Sequence, residues 1–235
     1  VAPHAAPALR LHGYPVSNYF NAVRAALIEK EVPFELVAVR ASQEPAFLAH
    51  SPMGKIPVLE TPDGWLAETV AILEYLEDTQ AGPRLHPAAP FLRARCRQII
   101  NVVQMYVEAP LRSLFPAVFS GLPESAAQTE SVRAMLDRAT AALHRLRLPG
   151  PFMLGDELSY ADLFSFYCFD IADRVTLYVY GSSILGQAPG LAAWHALMRE
   201  RASSRVVMAD FEPAFAAYLA EKNAPYLHGR KKCVM

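Results

Sequence analysis

The chain has 235 residues, 53% hydrophobic and 19% charged, which is ample apolar material for one large domain or two small ones and gives little reason to expect disorder. Its formal net charge is -1, with neither a basic stripe for nucleic acid nor an acidic tail for a basic partner, so a ligand must be recognised by local groups. Cys96, Cys168 and Cys233 form no C-x-x-C pair and no metal-ligand spacing, which fits a reduced, cytoplasmic protein without a metal centre. No uncharged apolar run reaches the about 18 residues of a membrane span. The opening residues lack the basic-then-apolar pattern of a signal peptide. Cys233 is followed by two residues where a prenylation motif needs three.

Residues 9–13 alternate apolar and polar and stop at Gly13, which predicts a short strand entering a loop. Ser17 and Asn18 are helix-capping types, and Phe20, Val23, Ala26 and Leu27 follow at helical spacing. A helix is therefore predicted over 18–30, ended by Pro33. A second strand is expected over 34–39, a short helical piece over 44–50 and a third strand over 56–60. A fourth, over 65–67, follows the turn at Pro62, Asp63 and Gly64. Glu68 and Thr69 open a helix carrying Val70, Ile72, Leu73, Tyr75 and Leu76. The order βαβ-α-ββα predicts an α/β domain on a mixed four-stranded sheet, with a parallel pair from the crossover and an antiparallel pair from the turn. Gly82, Pro83, Pro87 and Pro90 place a linker over 80–90, between a first domain over 8–79 and a second over 91–222, with a tail over 223–235. The second domain reads as all-α, with helices expected over 91–108, 131–148, 160–173, 190–200 and 204–221.

Four segments carry more than secondary structure: LHGYPVSNYFNAVR at 11–24, SPMGKIPVLE at 51–60, LAETVAILEYL at 66–76 and GDELSYAD at 155–162. In this order and at these separations they resemble the cytosolic glutathione S-transferase superfamily, and the first resembles its serine-type, Theta- or Zeta-like bacterial members. The resemblance implies a thioredoxin-like N-terminal domain that binds glutathione and an all-helical bundle domain that holds the second substrate. It also implies transferase activity and a two-fold homodimer.

The residues themselves fit that chemistry. Pro57 lacks an amide hydrogen and is not an ordinary central strand residue; locally, a trans proline at a strand edge and a cis proline fit equally. The resemblance implies cis at Ile56–Pro57, turning the Ile56 amide and carbonyl outward to pair with the cysteinyl backbone of glutathione like an added strand. Glu68 and Thr69 stand at a strand-to-helix junction, where free amides and the helix dipole favour an anion. The Thr69 hydroxyl and amide suit the γ-glutamyl carboxylate and Glu68 its ammonium; Thr69 is equally suited to cap the helix. Lys55 is either a partner for the glycyl carboxylate or a solvated lysine. Ser51 stands where the family often has Asn, which removes any amide contact there.

A free thiol titrates at about 8.5, and lowering this by about two units needs roughly 2.7 kcal/mol of preference for the anion. Ser17, immediately before the first helix, offers a hydroxyl donor at the positive end of the helix dipole, and it is also a helix-capping type. Tyr14 is the rival donor, placed after Gly13 as in tyrosine-type classes, and Tyr19 stands where some relatives carry a second active-site residue. The segment from Ser17 to Arg24 aligns with the serine-type pattern without a gap, whereas the tyrosine-type alignment needs one. No cysteine lies between Gly13 and Arg24, which disfavours cysteine-type and glutaredoxin-like chemistry.

Ser159 and Asp162 have capping-box spacing and read as structural. Tyr106, Leu111, Phe115 and Phe119 are candidates for an apolar acceptor site between the domains, and aromatic residues at such spacing also serve as plain core. His12, His50 and His144 have no ligand-like spacing. The expected function is transfer of glutathione to a small hydrophobic electrophile. The alternatives are an isomerase, dehalogenase or peroxidase using the same thiolate, and a non-catalytic binding or regulatory protein.

Overall fold

Alternating burial along the first strand sets the frame of the N-terminal half: Leu9, Leu11 and Gly13 point inward while Arg10 and His12 do not. A computed structural model describes residues 9–229, and the chain divides into two compact units between His86 and Pro87. In the first, β1 (Leu9–Gly13), α1 (Asn18–Glu29), β2 (Phe34–Ala38), α2 (Pro45–Leu48), β3 (Val58–Thr61), β4 (Gly64–Ala67) and α3 (Thr69–Thr79) follow in order. The sheet order is β2-β1-β3-β4. β1 runs parallel to β2, with Leu11 opposite Leu36. It runs antiparallel to β3, with Leu11 opposite Leu59, and β3 is antiparallel to β4. This is the mixed, thioredoxin-like arrangement expected. Leu11, Val23, Leu27, Leu59, Ile72 and Leu76 are fully buried in its core, each worth about 1.5–3 kcal/mol as an upper bound. The Phe20 ring packs so closely on β1 that a Cβ at Gly13 would lie 2.1 Å from it.

The first unit extends beyond residue 79 to His86 because the chain after α3 is tied down by Glu77. The Glu77 carboxylate accepts from the Lys30 ammonium at 3.0 Å and from the Leu85 and His86 amides at 3.2 and 3.4 Å. Burial pushes the Glu77 carboxyl up, but Lys30 and the two amides outweigh this and hold it below its ordinary value of 4.5. Leu85 and His86 are buried, so much of the expected linker is part of the domain it was expected to leave.

The second unit is all helical: α4 (Pro90–Val103), a π-helical turn (Gln104–Glu108), α5 (Ala109–Arg112), α6 (Phe115–Ser120), α7 (Ala126–Leu146), α8 (Tyr160–Tyr180), α9 (Leu191–Arg199) and α10 (Ala202–Glu221). α8 is buried almost all round and forms the centre. The helix predicted over 91–108 changes register at Gln104. An α-helix through Pro110 would lack one donor and press the ring on the carbonyl four residues earlier. Here Ala109 donates to the Gln104 carbonyl, five residues back, and the mismatch is absorbed one turn early.

The capping box expected at Ser159 is present. Asp162 accepts from the Ser159 amide at 3.0 Å and the Ser159 hydroxyl at 2.8 Å. It also accepts from the Met153 amide at 2.7 Å and the Trp194 indole at 2.9 Å. Burial pushes its carboxyl above the ordinary value, opposed by these donors. A second node joins α8, α9 and α10: Asp170 accepts from Arg174 at 2.9 Å and Arg199 at 2.8 Å, and both arginines reach Glu212. The first residues of the expected tail form a short turn, Pro225–His228, whose Tyr226 ring lies against Phe119, Phe215 and Tyr178. Residues 1–8 and 230–235, with Cys233 and the end of the tail, lie outside the described residues. Among the described residues no helix is long and apolar enough to cross a membrane.

Candidate active site

Three stretches of the first unit present backbone and hydroxyl groups that the fold itself does not use. The first is the turn from β1 into α1. Ser17 is the N-cap of α1: its amide donates to the Tyr14 carbonyl at 2.9 Å, and its Oγ accepts from the Phe20 amide at 3.3 Å. Its O–H has no acceptor among the described residues, so capping leaves the proton available for donation. No acidic residue occupies the first turn of α1, and the positive end of the dipole is not neutralised there.

Tyr14 sits on the same turn, half-buried, with the Arg40 guanidinium 4.7 Å from its ring centre and 3.5 Å from its hydroxyl. Arg40 is not among the residues the sequence singled out; it follows β2, and nothing in its local sequence ties it to Tyr14. Tyr19 lies half-buried in the first turn of α1 and has polar or ring partners of its own.

The second stretch is the segment before β3. The peptide bond between Ile56 and Pro57 is cis. The Ile56 amide and carbonyl make no hydrogen bond with any described residue. The buried Ser51 hydroxyl holds the preceding turn, donating to the Lys55 carbonyl at 2.8 Å and accepting from the Lys55 amide at 3.0 Å. Gly54 completes that turn at φ +65, where a Cβ would lie 2.3 Å from the Ser42 carbonyl oxygen. Ser51 therefore closes the loop that carries Lys55 and Ile56, and the Lys55 side chain is exposed.

The third stretch joins β4 to α3. Glu68 has φ 69 and ψ 115, an unusual backbone for a residue with a Cβ. Such strain persists only where the surroundings impose it, and it marks sites more often than frames. The exposed Glu68 side chain caps nothing. Thr69, buried to 6% exposure, makes no hydrogen bond with a described residue through its hydroxyl or amide. α3, like α1, has no acidic residue in its first turn.

His12 and His50 in the first unit are otherwise engaged. His12 meets Glu60 at 3.0 Å, which with Arg10 holds that carboxyl below its ordinary value. The His50 ring stacks on Trp65 at 3.8 Å between centres, and His144 is exposed. In the helical unit, Tyr106 is 44% exposed on the π-helical turn, whereas Leu111 and Phe119 are buried. Phe115 packs edge-on to Phe119 at 5.1 Å. Phe119 also meets the rings of Phe215, Tyr218 and Tyr226. A recess of about 100 Å³ lined by Arg133, Leu136, Asp137, Tyr180, Ser182 and Gln187 includes none of the four. No group of His, Cys, Asp or Glu able to hold a metal ion occurs among the described residues.

Residues 11–84 match the family described as "Glutathione S-transferase, N-terminal domain", and residues 123–197 match "Glutathione S-transferase, C-terminal domain". A "Glutathione S-transferase" of Pseudomonas putida is 39% identical over 211 residues, covering 90% of this chain and 96% of that protein. A "Maleylacetoacetate isomerase" of Rhizobium meliloti is 34% identical over 164 residues, 65% of this chain and 76% of that one. A glutathione S-transferase from Methylobacterium radiotolerans, solved in complex with glutathione sulfonate, superposes with a TM-score of 0.69 at 26% identity, covering 85% of this chain and 93% of the other.

Proposed function

The chain belongs to the glutathione S-transferase family, and on that premise we propose that it binds glutathione along the Ile56 edge and activates its thiol through Ser17. The observation that carries this reading is the set of unspent polar groups on one rigid unit: the Ile56 amide and carbonyl, the Thr69 amide and hydroxyl, and the Ser17 O–H. The cysteinyl backbone of the tripeptide pairs with Ile56 as an added strand. The γ-glutamyl carboxylate takes the Thr69 amide and hydroxyl at the start of α3, and Glu68 takes the γ-glutamyl ammonium. Lys55 faces the glycyl carboxylate as an exposed, weakly contributing charge.

In this reading the thiol gives its proton to solvent, and the Ser17 hydroxyl donates to the resulting thiolate. The sulfur electron pair attacks an electrophilic carbon, and the leaving group departs with the bonding pair. Ser17 is favoured over Tyr14 because it stands at the N-cap of α1, where the helix dipole supports an anion; the Arg40 guanidinium donates to the Tyr14 hydroxyl oxygen and leaves that phenol proton unspent, which keeps Tyr14 as the rival donor. Tyr19 is assigned to the wall of the site. Tyr106 offers an exposed apolar face to a hydrophobic electrophile. Phe115, half-buried and edge-on to the buried Phe119, is a second apolar candidate, and Leu111 is buried in the core. A cytoplasmic homodimer with a detoxification role is part of the proposal. Cys96 and Cys168 are buried and not disulfide-bonded, which suits a reducing compartment, and the dimer is proposed by likeness to the family.

An isomerase acting through the same thiolate is the second reading, favoured by the relative named maleylacetoacetate isomerase. Calorimetric titration with glutathione, followed by turnover with an aryl halide and with a cis-unsaturated diketo acid, tests both. The proposal expects binding and aryl transfer that Ser17→Ala slows by about 100-fold at neutral pH and Tyr14→Phe spares. Turnover of the diketo acid alone transfers the assignment to the isomerase. Binding without turnover of either leaves a binding protein.

A further inference from the structure

Asn21 is buried to 1% exposure inside α1, where Ala22, Val23, Ala25, Ala26 and Leu27 are buried with it. An apolar residue would serve the helix better. Asn has a weaker helix propensity than Leu or Ala, and a buried amide oxygen without a partner is destabilising. The Asn21 Oδ1 is buried in that way. Its Nδ2 nevertheless makes a short bond, 2.7 Å, to the Pro15 carbonyl, six residues back across the turn that carries Tyr14 and Ser17. That turn is closed from its other side by the Ser17 amide on the Tyr14 carbonyl at 2.9 Å. The Asn21 amide in turn holds the Ser17 carbonyl at 3.0 Å. One residue thus grips the turn through its backbone behind Ser17 and through its side chain ahead of it.

We infer that Asn21 is a positioning residue for thiol activation: by clamping the Pro15 carbonyl it fixes the Pro15–Val16 corner, and with it the direction in which the Ser17 hydroxyl donates. The inference rests on the reading of Ser17 as the donor. Asn21 touches neither sulfur nor acceptor in this scheme. A hydrogen bond to a developing anion is steeply angle-dependent, so a turn that is free to rock weakens donation while the Ile56 and Thr69 contacts stay intact.

The readout is the apparent pKa of the enzyme-bound glutathione thiol, taken from the pH dependence of kcat/KM and from thiolate absorbance. Ser17→Ala is expected to raise it by about two units, and Asn21→Leu, which keeps side-chain volume and removes the donor, by about one unit, a tenfold loss of thiolate at fixed pH. The Michaelis constant for glutathione should change less than about threefold in Asn21→Leu, because ground-state binding is untouched. The double variant should match Ser17→Ala alone, because the clamp acts only through that hydroxyl.

A pKa unchanged in Asn21→Leu overturns the inference while leaving Ser17 as donor. So does a full further shift when Asn21→Leu is added to Ser17→Ala. A Ser17→Ala enzyme with the wild-type thiol pKa overturns the Ser17 reading and this inference together. If Asn21→Leu does not fold, Asn21→Ser is measured against the same outcomes.

Discussion

In the helical unit the Asp162 carboxylate accepts four hydrogen bonds, from Met153, Trp194 and both donors of Ser159, while in the N-terminal unit the Ile56 backbone and the Thr69 hydroxyl and amide have no partner among the described residues. Both sets sit on well-packed frames. The saturated carboxylate ties the start of α8 to α9 and to the loop at Met153, and its bonds are consumed in holding the fold. The open groups flank β3 and α3, so they are held still without being used. Leaving polar groups unpaired in the protein is tolerable where water reaches them, and exchanging that water for a ligand costs the fold nothing. Saturation marks structure, and rigid non-saturation marks a place for something else.

The comparison breaks most visibly at Asp162. Asp162→Ala strands up to four donors in the core and should cost about 3–5 kcal/mol of stability, read by urea unfolding. A loss under about 1 kcal/mol would mean that the carboxylate is not the tie described. The mirror experiment is Thr69→Val, which removes only a hydroxyl that the fold leaves unpaired. Stability should stay within about 0.5 kcal/mol, and glutathione affinity should fall by about 10- to 100-fold in calorimetry, as for loss of one hydrogen bond to a charged group.

Glu68 sharpens the contrast because strain and function coincide there. Glu68→Gly relaxes the positive φ and should stabilise the unit by about 1 kcal/mol while weakening glutathione binding. A variant that loses both stability and affinity would show that Glu68 is structural. The smallest effect belongs to Glu77, the saturated carboxylate of the N-terminal unit. Its folded-state value lies below the ordinary 4.5, so its contribution is complete above that pH and is lost as pH falls through the lower folded value. Between about pH 5 and about pH 3, Glu77→Gln should lose less of its urea midpoint than the wild type does.

The frame of the first unit was legible in the sequence because its signals are local and agree. Period-two alternation marks β1, Pro33 separates α1 from β2, and the turn at 62–64 sets β3 against β4. Ser17 was legible as a residue before a helix, whereas the local sequence fitted a cis and a trans Pro57 equally and only the family resemblance of the segment at 51–60 implied cis. What escaped notice depends on partners distant in sequence. Glu77 binds Lys30 and the chain beyond α3, so the domain continues to His86 although its prolines and glycine read as a linker. Glu68 at positive φ runs against the residue's own preference, and no single-residue signal announces it. The π-helical turn had a signal in Pro110, which reads as a helix end rather than a change of register. α8 runs on past Asp173 to Tyr180 and stops at Gly181, which takes the left-handed C-cap conformation and donates to the Leu177 carbonyl; that glycine is the local stop signal. Asn21 was visible one helical turn after Ser17, but only the bond to Pro15 gives it meaning.

The decisive measurement is a crystal structure of the protein with glutathione. The tripeptide backbone should be paired with the amide and carbonyl of Ile56, its γ-glutamyl carboxylate should lie on Thr69, and its sulfur should be within hydrogen-bond reach of the Ser17 Oγ. A sulfur seated on the Tyr14 hydroxyl would contradict the assignment of the donor. A tripeptide bound away from Ile56 and Thr69 would contradict the account itself.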